Sequence, residues 1–130
     1  MNQKSKSAQS KLLTDVELEM MNIIWGLGSA TVKDVLESLP KKRQLAYTSV
    51  STMLRILEQK KILKSEKQGR GHVYTPQLPK EDYEVRSVRH LLEGVFKGNT
   101  SSLVRSLLNT KNLNQDELNE LKKLIERESK

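Results

Sequence analysis

The chain has 130 residues, no cysteine and a formal net charge of +7. Without cysteine it has no disulfides, thiolate zinc sites or cysteine nucleophiles, and this composition is typical of the reducing cytoplasm. The sequence contains no apolar run long enough for a membrane span and no hydrophobic signal core at its N-terminus. We therefore expect neither membrane insertion nor export, and we predict a cytoplasmic protein.

The positive charge is concentrated in one block of the chain. Residues 41–80 carry ten Lys or Arg against Glu58 and Glu66, which gives this block a charge of +8. Residues 14–40 are acidic, and residues 81–130 are neutral. A basic block of this kind is an electrostatic footprint for a polyanion. An anionic membrane surface is a competing partner, although the block lacks an amphipathic helix with large apolar anchors.

Residues 1–11 consist of Lys, Ser, Gln and Asn with almost nothing apolar, which predicts a disordered basic tail. The tail is either inert or a basic arm that contacts DNA. The first helix begins at a capping box in which Thr14 is the N-cap and Glu17 reaches back to it. We expect Gly26 and Gly28 to end this helix. Its apolar stripe comprises Leu18, Met21, Ile24 and Trp25.

A second helix follows a short extended segment. Thr31 and Asp34 form a box-like cap, and Pro40 stops the helix. The basic connection 41–47 then leads into a third helix. Tyr47 lies beside the start of that helix, where backbone N–H groups favour an anion such as phosphate. Its ring has an alternative role, which is to pack on the second helix.

The third helix, residues 48–61, has two contrasting faces. Its apolar stripe comprises Val50, Met53, Leu54 and Leu57. The opposite face carries Thr48, Ser51, Thr52, Arg55 and Gln59. Ser and Thr are poor helix formers, whereas hydroxyls, amides and the Arg fork suit a helix that contacts base edges and phosphates in a DNA major groove. The alternative is a half-buried helix of an ordinary helical domain.

Residues 62–76 contain two short runs rich in β-branched or aromatic residues around a glycine-containing tip, which predicts a β-hairpin. We expect Gly69 and Gly71 to supply the backbone angles of the turn. Arg70 at the tip is placed to reach phosphate or a minor groove. Three helices and a hairpin make a winged helix-turn-helix, and we predict this DNA-binding domain over residues 12–78.

Residues 79–130 predict three short amphipathic helices. The first covers 80–97, the second is capped by Ser101 or Ser102, and the third begins at a capping box on Asn114. Such short helices bury their apolar faces poorly alone, so we predict a helical dimerisation domain and a homodimer on a palindromic operator. The predicted dimer interface comprises Val85, Val88, Leu92, Val95, Leu103, Leu107, Leu118, Leu121, Leu124 and Ile125. The fold class is therefore mainly α with a small β-hairpin.

Several stretches resemble the penicillinase-repressor family (BlaI/MecI/CopY). They are Leu13-Thr14-Asp15-Val16-Glu17 through Met21-Asn22-Ile23-Ile24-Trp25, Leu45-Ala46-Tyr47-Thr48-Ser49-Val50, and the wing Arg70-Gly71-His72-Val73-Tyr74. The resemblance covers about residues 12–127. It implies a winged-helix repressor that binds palindromic operators ahead of β-lactam resistance genes. It also implies release after a membrane sensor leads to cleavage in the dimerisation domain.

By position, the resemblance implies major-groove contacts from Thr48, Ser49, Ser51, Thr52 and Arg55, with wing contacts around Arg70. The family's cleaved Asn–Phe bond falls on Ser106-Leu107, where the residues differ. The copper-responsive branch has a cysteine metal motif, which this chain lacks.

Other functions fit the sequence less well. A protein-binding winged helix without a specific operator is the main alternative. RNA binding fits the charge, but exposed aromatics that stack unpaired bases are missing. The two histidines, His72 and His90, do not have the spacing of metal ligands or of a catalytic pair, so we predict no enzyme, metal or cofactor.

Overall fold

A computed structural model describes residues 12–109 and 113–128, so the predicted tail 1–11 lies outside the described residues. Contacts divide the chain into one unit that ends at Ser87 and another that begins at Val88. The elements are α1 (Asp15–Leu27), α2 (Val32–Ser38), α3 (Tyr47–Gln59), β1 (Leu63–Gln68), β2 (Gly71–Pro76), α4 (Lys80–Gly94), α5 (Thr100–Leu108) and α6 (Gln115–Glu128).

Local capping determines where the first two helices begin. The Thr14–Glu17 and Thr31–Asp34 capping boxes both form, as predicted. Gly28 ends α1 with a φ of 87°, a left-handed conformation that glycine adopts without strain. The prediction that Gly26 also ends the helix is wrong. The helix continues through Gly26, because the Gly28 N–H donates to the Ile24 carbonyl and so closes a last turn that contains Gly26.

The core of the first unit joins the three helices to the hairpin. Its fully buried members are Met20, Met21, Ile24, Val35, Val50, Leu54, Leu57 and Leu63. Met20 is buried although the predicted stripe of α1 omitted it, whereas Leu18 and Trp25, which belong to that stripe, are only half-buried. The difference arises because α1 is packed by α2, α3 and the hairpin together, so its buried face is wider than one stripe.

The hairpin pairs β1 with β2 in an antiparallel register from Leu63–Pro76 to Gln68–Gly71. Gly69 has a φ of 62°, as the predicted turn requires. The expectation for Gly71 is wrong, because this residue has no positive φ and is already paired in β2. Tyr74 also forms an isolated antiparallel bridge with Ala30, which ties the hairpin to the turn between α1 and α2. Three helices with this hairpin form a winged helix.

The start of α4 packs within the first unit. The Trp25 indole N–H donates to the Leu78 carbonyl at 2.9 Å, and the Trp25 and Tyr83 rings lie 5.7 Å apart. The Tyr83 hydroxyl accepts a hydrogen bond from the Leu13 N–H. These contacts explain why the first unit extends to Ser87, nine residues past the predicted boundary at residue 78.

The later helices follow the predicted order with two differences. Helix α4 ends at Gly94, before the predicted residue 97. The cap of α5 is Asn99, whose side chain accepts from the Ser102 N–H, so the predicted Ser101 or Ser102 cap is wrong. Asn is a strong N-cap because its short side chain reaches this donor. The Asn114–Glu117 capping box forms as predicted.

Candidate nucleic-acid interface

Helix α3 has a buried face and an exposed polar face. Val50, Leu54 and Leu57 are fully buried, which fixes the rotation of the helix about its axis. The outer face therefore carries the predicted polar set: Thr48, Ser49, Thr52, Arg55 and Gln59 are exposed, and Ser51 is half-buried. This face presents hydroxyls, an amide and one guanidinium group, all of which can donate hydrogen bonds.

Tyr47 is the first residue of α3 and is 59% exposed. Ala46, the N-cap residue of α3, offers no side-chain hydrogen bond to the first turn of the helix. Tyr47 lies outside the core cluster, and its two predicted roles, an anion contact and packing on α2, stay predictions. Its position beside the start of the helix is the one that an anion contact needs.

An open cleft lies between the start of α2, the outer face of α3 and the hairpin. It brings Tyr47, Ser51 and Arg55 of α3 together with Arg70 at the hairpin tip and His72 on β2. The remaining predicted contacts on α3, namely Thr48, Ser49, Thr52 and Gln59, lie on the exposed surface outside the cleft lining. Four of the eight predicted contacts, three on α3 and one at the wing tip, thus line the same cleft.

Two further charged residues line this cleft that the sequence did not indicate as site residues. Lys33 on α2 is the one lysine of the acidic block 14–40, and its approach to α3 depends on the packing of two helices. Glu58 lies one turn beyond Arg55 on α3 and is half-buried. The Ser65 hydroxyl on β1 donates to its carboxylate at 2.5 Å. No sequence signal marks Glu58, because Ser65 reaches it only through the turn that follows α3.

Two cations of the basic block support the orientation of α3. The Arg43 Nε–H contacts the Glu19 carboxylate at 3.0 Å, just before α3 begins. The Lys60 ammonium contacts Glu17 at 2.5 Å, just after α3 ends. Both acids belong to α1. The charge of residues 41–80 is therefore divided between a structural role and the exposed surface.

Glu17 is the buried partner in the second of these pairs, with 4% of its surface exposed. Burial alone would raise the pKa of its carboxyl group. Hydrogen bonds from Lys60 and Thr14, together with the Lys60 charge, outweigh burial and hold the pKa below its ordinary value of 4.5. The ionised carboxylate is thus the form that the fold stabilises.

The Glu58 carboxylate acts electrostatically inside the cleft. Burial raises the pKa of the Tyr74 hydroxyl, and the negative charge of Glu58 raises it further, while the Arg55 guanidinium opposes the shift. Glu58, Arg55 and Tyr74 all line the cleft. Any polyanion that enters the cleft meets both charges.

Each of the ten residues of the predicted dimer interface is half-buried or exposed in the single chain. The most exposed is Val95, at 67%. The residues at the implied cleavage position, Ser106 and Leu107, lie within α5 and are exposed.

In residues 12–109 and 113–128, no helix has the length and apolar character needed to cross a membrane.

Comparison with known proteins identifies the family. The penicillinase repressor family matches residues 13–127. A penicillinase repressor of Bacillus licheniformis is 35% identical over 88% of this chain and 89% of its own length. The methicillin resistance regulatory protein MecI of Mammaliicoccus sciuri is 25% identical over 87% and 92%. The solved DNA-binding domain of the repressor BlaI is 37% identical over 55% of this chain and 87% of that chain, with a TM-score of 0.49. The protein therefore belongs to the penicillinase repressor family of DNA-binding transcriptional repressors.

Proposed function

We propose that this repressor binds a palindromic duplex operator as a homodimer and places α3 in the major groove. The observation that carries the proposal is the outer face of α3, where hydroxyl, amide and guanidinium groups are exposed beside the hairpin. A solvated helix face without a ligand would gain helix stability from Glu and Lys instead of Ser and Thr. Groove contact explains this composition.

The proposed contacts divide into two kinds. Ser51, Thr52 and Arg55 face base edges, and Arg55 has the planar fork that matches the two acceptors of guanine. Thr48 and Ser49 join them in the first turn, and Gln59 extends the face at its far end. Tyr47 at the helix start and Arg70 at the hairpin tip contact phosphates, which fix the register of the protein on the duplex.

A second copy of the chain is the proposed occupant of the exposed apolar face of the helices after Ser87. Val88, Val95 and Leu124 are large apolar side chains that remain exposed in the single chain. A two-fold dimer would present two α3 helices about 34 Å apart, or a multiple of this distance, along the DNA. The operator would therefore be a palindrome.

The regulated genes and the release step belong to the same proposal. Relatives carry the names penicillinase repressor and methicillin resistance regulatory protein, which favours β-lactam resistance-type genes. We propose a cytoplasmic repressor that leaves the operator when its dimerisation helices are inactivated by a membrane sensor and protease system. Ser106 and Leu107 lie within α5, so a protease would need this helix to open before cleavage at their bond.

A footprint of the purified protein on the DNA upstream of its own gene tests the proposal, with scrambled DNA as control. We expect a protected palindrome with half-sites one or two turns apart, and a steep loss of protection as salt rises. Equal protection of scrambled DNA at moderate salt would contradict a specific operator at that position. A flat salt series would contradict phosphate contacts from the basic block. The mass of the protein isolated from its native host after exposure to β-lactam tests the release step, because cleavage at Ser106–Leu107 would replace the intact mass by those of two fragments.

A further inference from the structure

Glu58 is a carboxylate in a surface that otherwise suits a polyanion. Among the described residues that line the cleft, it is the one acid, beside the cations Arg55, Arg70 and Lys33. A carboxylate near DNA phosphates is repelled by them, and the repulsion is stronger in a partly desolvated cleft than in open water. The Glu58 charge therefore opposes the binding of DNA in general, and it is useful only if it improves a property other than affinity, such as specificity.

The side chain of Glu58 is held in the cleft. It is half-buried, and the Ser65 hydroxyl on the hairpin donates to its Oε2 atom at 2.5 Å. This hydrogen bond prevents the carboxylate from turning away from an approaching strand, as an exposed acid on a flexible side chain would do. The charge thus has a fixed position between α3 and the wing.

Arg55 lies three residues before Glu58, so the two side chains share one side of α3. In a complex with unrelated DNA, the guanidinium would contact phosphate, and phosphate near Arg55 is also near Glu58. At the proper operator, Arg55 would instead contact a neutral base edge, which Glu58 does not repel. The penalty from Glu58 is therefore larger for unrelated DNA than for the operator.

We propose that Glu58 is a specificity-determining residue, whose tethered carboxylate repels phosphate from the cleft and so weakens binding to unrelated DNA more than binding to the operator. This inference rests on the proposed operator function. Glu58 is not one of the expected base or phosphate contacts. Its charge would instead destabilise complexes with unrelated DNA.

The test compares the unaltered protein with its Glu58→Gln variant, measuring Kd for the footprinted operator and for scrambled DNA at one fixed, moderate salt concentration. Glutamine retains an acceptor for the Ser65 hydroxyl and removes only the charge. We expect scrambled DNA to bind about fivefold more tightly, with a smaller change for the operator, so that the operator preference falls. The matched control is Glu66→Gln, which changes the net charge equally at an exposed position on β1 outside the cleft lining.

Equal gains for Glu58→Gln and Glu66→Gln would overturn the proposal, because net charge alone would explain them. Loss of operator affinity without a gain on scrambled DNA would also overturn it, because Glu58 would then be a direct base contact. Ser65→Ala provides a second variant if Glu58→Gln does not fold. Ser65→Ala removes the hydrogen bond that holds the Glu58 carboxylate, so we expect the operator preference to fall, as in Glu58→Gln. An unchanged preference would contradict the role of this hydrogen bond. If the wild type itself fails to prefer the operator, the proposed function fails instead.

Discussion

The carboxylate of Glu17 and the ammonium group of Lys60 lie 2.5 Å apart and join the start of α1 to the end of α3. The same carboxylate accepts the Thr14 N–H in the capping box of α1. One buried group thus completes a helix cap and anchors the helix that carries the candidate nucleic-acid interface. Removing its cationic partner would leave a buried charge with only part of its stabilisation.

Lys60→Met is therefore expected to lower the free energy of unfolding by about 1–2 kcal/mol, below the cost of breaking a fully buried pair because Lys60 is half exposed. Urea denaturation followed by circular dichroism measures this change. The control is Lys64→Met, an exposed lysine on β1, for which we expect a change of less than about 0.5 kcal/mol. Equal losses in the two variants would show that the ion pair does not stabilise the fold.

The pH dependence of stability provides a second prediction. Because the pKa of Glu17 is lower in the folded chain than its ordinary value of 4.5, its contribution is fully present above that value. The contribution is lost as pH falls through the lower, folded pKa. Glu17→Gln should consequently lose less stability than the wild type between pH 5 and pH 2, taken as a rough window. The exposed Glu37→Gln variant should retain the wild-type dependence, and a wild-type slope in Glu17→Gln would refute the assignment.

Arg55 is expected to contribute sequence preference as well as charge. Arg55→Ala should weaken operator binding by about 1–3 kcal/mol and lower the preference over scrambled DNA. Arg55→Lys retains the charge and removes the planar fork, so it should restore little of that preference. Fluorescence anisotropy with both duplexes measures these effects. The exposed Arg89→Ala on α4 is the control, and full restoration of preference by lysine would indicate a phosphate contact instead.

The apolar surface of α6 gives a prediction about assembly. Leu124 is 43% exposed in the single chain, so Leu124→Asp should leave the helix intact while it disrupts the proposed dimer. Operator binding should then weaken by about a hundredfold or more, because the two half-sites are no longer bound together. Sedimentation equilibrium measures the mass. Asn119→Asp adds the same charge at another exposed position of α6, and if Leu124→Asp remained dimeric, the interface would lie elsewhere.

The features that sequence predicted well are those that depend on near neighbours. The capping boxes at Thr14, Thr31 and Asn114 each use two residues three positions apart, so their pattern is visible in the chain. The buried and exposed faces of α3 follow from helical periodicity in the same way. The Asn99 cap is also local, but the two serines that follow are equally good N-cap residues, so the residue types alone did not indicate which one caps α5.

Features that depend on packing between elements could not be predicted in this way. Met20 is buried because several elements surround α1, and a single stripe does not represent that environment. Lys33 and Glu58 reach the cleft from different elements, and neither has a neighbouring residue in the sequence that indicates the site. Charge counting likewise did not reveal that Arg43 and Lys60 are bound to acids of α1.

The bridge between Ala30 and Tyr74 has a consequence for the order of folding. The two residues exchange backbone hydrogen bonds of 2.9 and 2.8 Å, yet α2, α3 and β1 lie between them in the chain. Because closing so long a loop loses entropy before any contact compensates, we expect this pairing to form after the helices have packed. We expect the two amides of this bridge to gain protection from hydrogen exchange after those of the helices and to lose it before them. Such an opening would let the wing adjust to the proposed duplex while the helical core that orients α3 stays closed.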